Sequence, residues 1–177
     1  MNIEGNQIGI RRYCSNDSVA FHEAIIESVS HMQEFMPWCH SHYSIAESDS
    51  WVESRGVLWE QKEEYSFVIY SLKNNELVGG VDINQLNVNH KIGNIGYWVR
   101  SQYLNKGIAT EAVKLITGFG FNALRLNRLE IVMLPNNLAS MRVAEKAGAT
   151  FDGLLKKRLV VNDESLDACL YSIVNGV

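Results

Sequence analysis

Only two of the 177 residues are proline and three are cysteine, and no apolar run approaches the length needed to cross a bilayer. The cysteines, Cys14, Cys39 and Cys169, are odd in number and widely spaced, and none forms a CxxC pair. Reduced thiols are therefore expected, not a disulfide framework. No charged-then-apolar leader opens the sequence, so a cytoplasmic location without membrane association is expected. Positive charge is also scarce: 16 Lys and Arg against 20 Asp and Glu give a net charge of −4, which argues against a nucleic-acid groove. That balance is compatible with an amine-bearing or basic partner. No repeat, linker or low-complexity stretch divides the chain. Its 46% hydrophobic residues suffice for a sizeable core in a single domain covering 1–177.

The hydrophobic pattern predicts strands over Gln7–Tyr13, Tyr65–Leu72, Leu77–Leu86, Ile92–Arg100, Arg128–Leu134, Phe151–Val161 and Leu166–Val174. Helices are predicted over Val19–Met32, Ala46–Gln61, Ile108–Leu124 and Leu138–Lys146, the last ending at Gly148 as a glycine C-cap requires. In the first helix Val19, Ile25, Ile26, Val29 and Met32 are expected to face inward; in the second, Trp51, Val52, Val57, Leu58 and Trp59 share a core-facing side. Asn74 and Asn75 tolerate the positive φ of a hairpin turn. The aromatic, proline-broken stretch Phe35–Tyr43 reads as a loop. The order β-α-α-β-β-β-α-β-α-β-β describes an α/β (α+β) fold: a mixed, mostly antiparallel sheet of about seven strands with four helices packed on it.

Between the fourth strand and the third helix lies Leu104-Asn105-Lys106-Gly107-Ile108-Ala109-Thr110. A helix starting directly after a tight turn presents unpaired backbone N–H groups and the positive end of its dipole, which favour an anion. Gly107 permits close backbone approach, Lys106 adds a point charge and Thr110 a hydroxyl. A diphosphate on a nucleotide-tailed cofactor fits that combination.

Three motifs in order, Ile95-Gly96-Tyr97-Trp98-Val99, Lys106-Gly107-Ile108-Ala109-Thr110-Glu111-Ala112 and Asn136-Asn137-Leu138-Ala139-Ser140 continuing to Ala149, resemble the GNAT (GCN5-related N-acetyltransferase) superfamily, in its ribosomal-protein N-acetyltransferase branch. The resemblance covers essentially the whole chain and implies the acyl-CoA N-acyltransferase fold. It also implies acetyl-coenzyme A as cosubstrate, no metal, and transfer of acetyl by direct attack of a primary amine, such as a protein or peptide N-terminal α-amine. An antibiotic or polyamine acceptor, or a coenzyme-A-binding module without catalysis, remains an alternative. A homodimer is compatible with the resemblance.

By the same resemblance, residues 104–110 hold the pyrophosphate and the pantetheine arm lies along Asn94–Arg100, where the strand Arg128–Leu134 splays away. A backbone N–H at Trp98 or Val99 serves as oxyanion donor, Asn137 meets the pantetheine amides, and Ser140 is the acid for the leaving thiolate. The family pattern begins with Gln or Arg where this chain has Leu104, and Asn105 replaces a frequent second glycine; backbone amides carry most of the contact and survive both changes. Asn105 can adopt the left-handed conformation itself. Asn94 and Leu159 stand where relatives carry a glutamate. An α-amine of pKa about 7.8 is neutral in roughly a quarter of molecules near pH 7.4, a lysine in only about 0.1%, so a missing base favours an α-amine.

Trp38 and Tyr43 are candidate walls of the acceptor site, within the variable loop Phe35–Ser48. Cys39, His40 and His42 carry ligand chemistry but lack a fourth partner for zinc. Cys14 and Cys169 read as small buried hydrophobes, Trp51, Leu58 and Trp59 as core, and Lys156-Lys157-Arg158 as a solvated strand end.

Overall fold

The computed structural model describes residues 1–176. Eight strands, β1 (Asn2–Glu4), β2 (Ile8–Arg12), β3 (Tyr65–Ser71), β4 (Leu77–Asn87), β5 (Ile92–Val99), β6 (Arg128–Met133), β7 (Thr150–Val161) and β8 (Glu164–Val174), form one sheet in the order β1-β2-β3-β4-β5-β6-β8-β7. Four helices, α1 (Ser18–Met32), α2 (Ile45–Glu60), α3 (Ile108–Asn122) and α4 (Leu138–Ala147), pack on it. Neighbouring strands are antiparallel except β5 and β6, which run parallel. None of the helices is long and apolar enough to cross a membrane.

The strand beyond the seven expected is β1, whose three residues are too short to show a pattern of their own. Alternation along β3 assigns the two faces. Phe67 and Ile69 join Ile83, Ile95, Val99 and the α3 residues Ala112, Val113 and Ile116 in one core. Val68 and Tyr70 join Trp98, Leu77 and the α1 residues Phe21 and Ile25 in another. The sheet is thus covered on both sides, by α3 and α4 on one and by α1 and α2 on the other.

Several expectations shift. In α1, Ile25 and Met32 are buried with Phe21 and Ala24, whereas Val19 and Ile26 are 61% and 44% exposed. The core here takes a narrow stripe that small Ala24 and Ser28 help to fill. In α2, Val57 is exposed and Val52 alone of the expected group is fully buried. The start of α2 is fixed by a capping box: Ser44 Oγ accepts from the Glu47 N–H and the Glu47 carboxylate accepts from the Ser44 N–H. Cys14 is exposed, because it lies past the end of β2 where the chain turns toward α1; Cys39 and Cys169 are buried.

Two contacts set the approach to α3. Arg100 bridges Glu27 of α1 (2.6 Å) and Glu76 (2.8 Å), and Tyr103 Oη donates to the same Glu76 (2.7 Å), which pins the 3-10 turn Ser101–Tyr103. In the first turn of α3 the Glu111 carboxylate accepts from the backbone N–H groups of Asn6 and Gln7, tying the helix start to the β1–β2 turn.

Candidate active site

The parallel pair β5/β6 is short. Pairing runs from Ile92↔Arg128 to Asn94↔Glu130 and stops there. Beyond Asn94, β5 stays with β4 out to Gly79↔Val99, while β6 continues with β8. The sheet therefore forks, and α3 and α4 each begin near the C-terminal end of a fork strand, where open α/β sheets place their ligand crevices.

Ladder parity decides which main-chain groups face the fork. The Arg100 N–H donates to the Val78 carbonyl (2.9 Å), one step beyond the Gly79↔Val99 register. Alternate residues of an antiparallel strand turn both polar groups to the same neighbour. Gly96 and Trp98 thus bond to β4, whereas Tyr97 and Val99 turn theirs to the open side. Of the two oxyanion donors named from the sequence, Val99 has its amide in the fork and Trp98 does not. His31 Nε2 donates to the Val99 carbonyl (3.2 Å), which leaves the Val99 N–H as the free group of that peptide pair.

At the mouth of the fork, Asn105 (φ 60°) and Gly107 (φ 79°) both adopt the left-handed conformation. The first backbone bond into α3 runs from the Glu111 N–H to the Gly107 carbonyl, so the amides of Ile108, Ala109 and Thr110 are the free donors of the helix start. Nothing lies within 4 Å of where a Gly107 Cβ would stand. The Ile108 side chain is buried in the core, and it contributes only its amide. Leu104 is 39% exposed, and the Lys106 ammonium rests 5.0 Å from the Tyr103 ring centroid. Free amides, an open approach and a cation together fit a diphosphate.

Across the fork, Asn137 caps α4: its Oδ1 accepts from the Ser140 N–H (3.0 Å). Its side-chain amide N–H groups are left to meet a ligand carbonyl. Ser140 Oγ lies 2.7 Å from Tyr97 Oη, which also donates to the Ser140 carbonyl (3.1 Å). Burial pushes the Tyr97 phenol up to about 12, so the pair stays protonated at neutral pH.

The other face of the fork holds a cavity of about 270 Å³. Its aromatic lining includes Tyr13, Trp38, Trp51 and Trp98, with Tyr97 at its border; its polar lining includes Arg55, Glu64, Ser66, Asp82 and Asn84. Two glycines make its floor. A Cβ on Gly80 would stand 2.5 Å from Trp98 Nε1 and 2.8 Å from Tyr13 Oη, and one on Gly96 would stand 2.8 Å from Asp82 Oδ2. Asp82 lies opposite Gly96 on β4 and accepts from Asn84 Nδ2 (2.5 Å), whose Oδ1 in turn accepts from Asn94 Nδ2 (2.9 Å). Burial first, then the neighbouring Glu64 charge, raises the Asp82 carboxyl to about 7. Arg55 pairs with Glu64 (2.5 Å) and stacks 4.4 Å over the Trp51 ring.

This changes the reading of the sequence in three places. Trp38 lines the cavity, and it shares an adjoining shallow hollow with the buried Tyr43, His40, Glu47 and Trp51. Trp51 is a cavity wall as well as core. Asn94 and Leu159 carry no carboxylate, but Asp82, on the neighbouring strand β4, places one in the cavity. The sequence carried a signal for it, since Asp82 is the lone charge in the apolar run Leu77–Ile83. Tyr13, Arg55 and Glu64 come from three separate segments and gave none. His40 pairs with Glu47 at 3.0 Å, and among the described residues no group of three or more His, Cys, Asp or Glu side chains is placed to hold a metal.

The sequence profile of the acetyltransferase (GNAT) domain matches residues 7–150. The Bacillus subtilis (strain 168) protein named "Probable N-acetyltransferase YjcK" is 37% identical over 117 residues, 66% of this chain and 65% of that relative's length. The chain thus spans slightly less than two thirds of that relative. The ribosomal-protein-serine acetyltransferase of Escherichia coli (strain K12) is 24% identical over 151 residues, 85% of this chain and 83% of that protein. Among solved structures, the ribosomal α-N-protein acetyltransferase RimL in complex with coenzyme A shares the fold, with a TM-score of 0.89 at 20% identity over 98% of each chain.

Proposed function

This chain belongs to the acetyltransferase (GNAT) domain family, and on that footing we propose that it moves the acetyl group of acetyl-coenzyme A to a primary amine, the N-terminal α-amine of a protein or peptide. The observation that carries the proposal is the fork between β5 and β6, with the free amides of α3 at its mouth. Acetyl-coenzyme A, when bound, supplies an activated thioester.

The chain's own groups divide the work. The amides of 105–110, with Lys106, hold the diphosphate; the Leu104 side chain adds only apolar contact. Asn137 meets the pantetheine amides. The Val99 N–H polarises the thioester carbonyl where its oxygen gains charge, and such a donor is typically worth about 10²–10³ in rate. The Ser140 hydroxyl, held by Tyr97, protonates the departing thiolate. Trp38 and Trp98 flank the incoming amine, and Tyr43 supports the Trp38 loop from behind.

Support for an α-amine comes from the ribosomal-protein-serine acetyltransferase relative and from the size of the cavity, which admits one residue-sized amine terminus. Coenzyme A release tests it, with acetyl-coenzyme A and three acceptor sets: peptides with free N-termini, N-terminally blocked peptides carrying one lysine, and polyamines. Release is expected with the first set. Efficient turnover with lysine or polyamine and none with free N-termini would replace the α-amine by those acceptors; donor binding without release in any set would leave a binding module.

A further inference from the structure

We infer that Asp82 is the general base, taking the proton from an acceptor that enters the cleft as a cationic amine; the inference rests on the acetyl-transfer reading above. Position is the first reason. Asp82 faces the cavity from β4, opposite Gly96, while Ser140 and Tyr97 stand on the α3/α4 side of the fork. Base and acid are therefore separated by the sheet itself. An amine entering through the cavity meets the carboxylate first and reaches the fork at Val99 within a few residues' rise along β5.

Charge is the second. The titratable groups around Asp82 are Glu64 ahead of β3, Arg55 on α2 and Tyr13 after β2. Arg55 is already engaged by Glu64, so those two charges compensate each other and Asp82 has only the neutral Asn84 as side-chain partner. A carboxylate kept this far inside without a cation of its own costs stability unless a ligand supplies the positive charge. Trp38 and Trp98 line the cavity beside such a cation, whereas the Trp51 ring is already stacked on Phe21 and covered by Arg55.

An orphaned atom is the third. Tyr13 Oη is buried and has no hydrogen-bond partner among the described residues, and it lines the same cavity. Buried hydroxyls are nearly always paired, so this one points to a ligand group, and an amine nitrogen between Asp82 and Tyr13 satisfies it. A carboxyl titrating near neutrality is also matched to the task.

The protons balance. One N–H bond of the bound ammonium breaks and its proton passes to the Asp82 carboxylate. The freed lone pair forms the N–C bond to the acetyl carbon, and the C–S bond breaks with its electron pair on sulfur. Ser140 gives the thiolate its proton and regains one, through solvent, from the second proton shed by the new amide nitrogen. Asp82 then releases its proton to solvent, so one proton leaves per acetyl group moved.

The test pairs a titration with kinetics. In the ligand-free protein, carboxyl-carbon NMR is expected to show an aspartate with a midpoint near 7 that disappears in Asp82→Asn. That variant is expected to bind acetyl-coenzyme A within twofold of wild type by calorimetry. Its kcat/KM at pH 7.5 falls by about 100-fold or more, with the deficit shrinking toward alkaline pH as the acceptor loses its own proton. A carboxyl titrating below pH 5, or a variant that changes KM alone and keeps the wild-type pH profile, overturns the assignment. Should Asp82→Asn not fold, Glu64→Gln decides: removal of the like charge moves both the NMR midpoint and the acid limb of the rate profile to lower pH. Movement of one without the other overturns the assignment. Wild-type protein that acetylates no amine refutes the acetyl-transfer reading instead, and the NMR titration distinguishes that outcome.

Discussion

The two sides of the fork are built from different material. The α3/α4 side, to which we assign the diphosphate, relies on main chain: free amides after two left-handed residues, the Val99 N–H, and a capped α4. The α1/α2 side relies on side chains that five segments bring together: Tyr13, Trp38, Trp51 with Arg55, Glu64 and Asp82. A main-chain site depends on φ and ψ and tolerates many residues so long as the backbone path holds. A side-chain site depends on chemical identity at every position. The family's first cradle side chain can thus be replaced by Leu104 without loss of the amides, whereas the Asp82 carboxylate keeps its place only with glycine opposite it at Gly96 and with the Asn84 side chain as donor.

The sharpest test of this contrast is Ser140→Ala, which removes a side-chain function from the main-chain side. It is expected to lower kcat by about 100-fold with the KM for acetyl-coenzyme A nearly unchanged. A rate that is unchanged across pH would remove Ser140 from the mechanism and make that side wholly main-chain in function.

Next comes the stability of Asp82→Asn. The folded carboxyl is raised to about 7 from an unfolded value near 3.9, so the folded state binds the extra proton between those values. The contribution of Asp82 to stability therefore declines as pH rises from about 4 to about 7, and the loss is complete above that window. Thermal or denaturant unfolding is expected to find the variant stabilised relative to wild type at pH 8, compared with the same difference at pH 4, by on the order of 2 kcal/mol. That is less than the full shift implies, because the cavity opens to solvent. No pH dependence in the difference would place Asp82 among ordinary solvated carboxylates.

The smallest effect is expected on the other side. Leu104→Ala is predicted to change acetyl-coenzyme A affinity by no more than about threefold in calorimetry, since every amide remains. A much larger loss would show that the cradle depends on side chains after all.

The same division explains what the sequence disclosed. The cradle was legible because glycine, a left-handed asparagine and a helix start are local features, readable within seven residues. The fork was foreseen through motif order, but the choice between Trp98 and Val99 depended on strand register, which is fixed by the Arg100–Val78 bond across two strands. The cavity on the α1/α2 side was largely illegible. Tyr43 and Trp38 belong to one loop, yet only Trp38 reaches the cavity, and Glu64 and Arg55 become neighbours only once α2 packs on β3. In α1, helical spacing alone did not distinguish Ile25 from Ile26, because both neighbours satisfy a broad apolar stripe and the narrower packing against the sheet selects one.

The contact between Glu111 and the amides of Asn6 and Gln7 has a meaning in time as well as space. The partners lie 105 and 104 residues apart in sequence. On a ribosome, where the N-terminal end emerges first, the β1–β2 turn must wait for the start of α3 to be made before it can be fastened. Closing so long a loop is slow compared with winding a helix. The start of α3 thus gains this support only after more than half the chain has been synthesised. A nascent chain halted before Glu111 lacks that latch, however complete its first five strands.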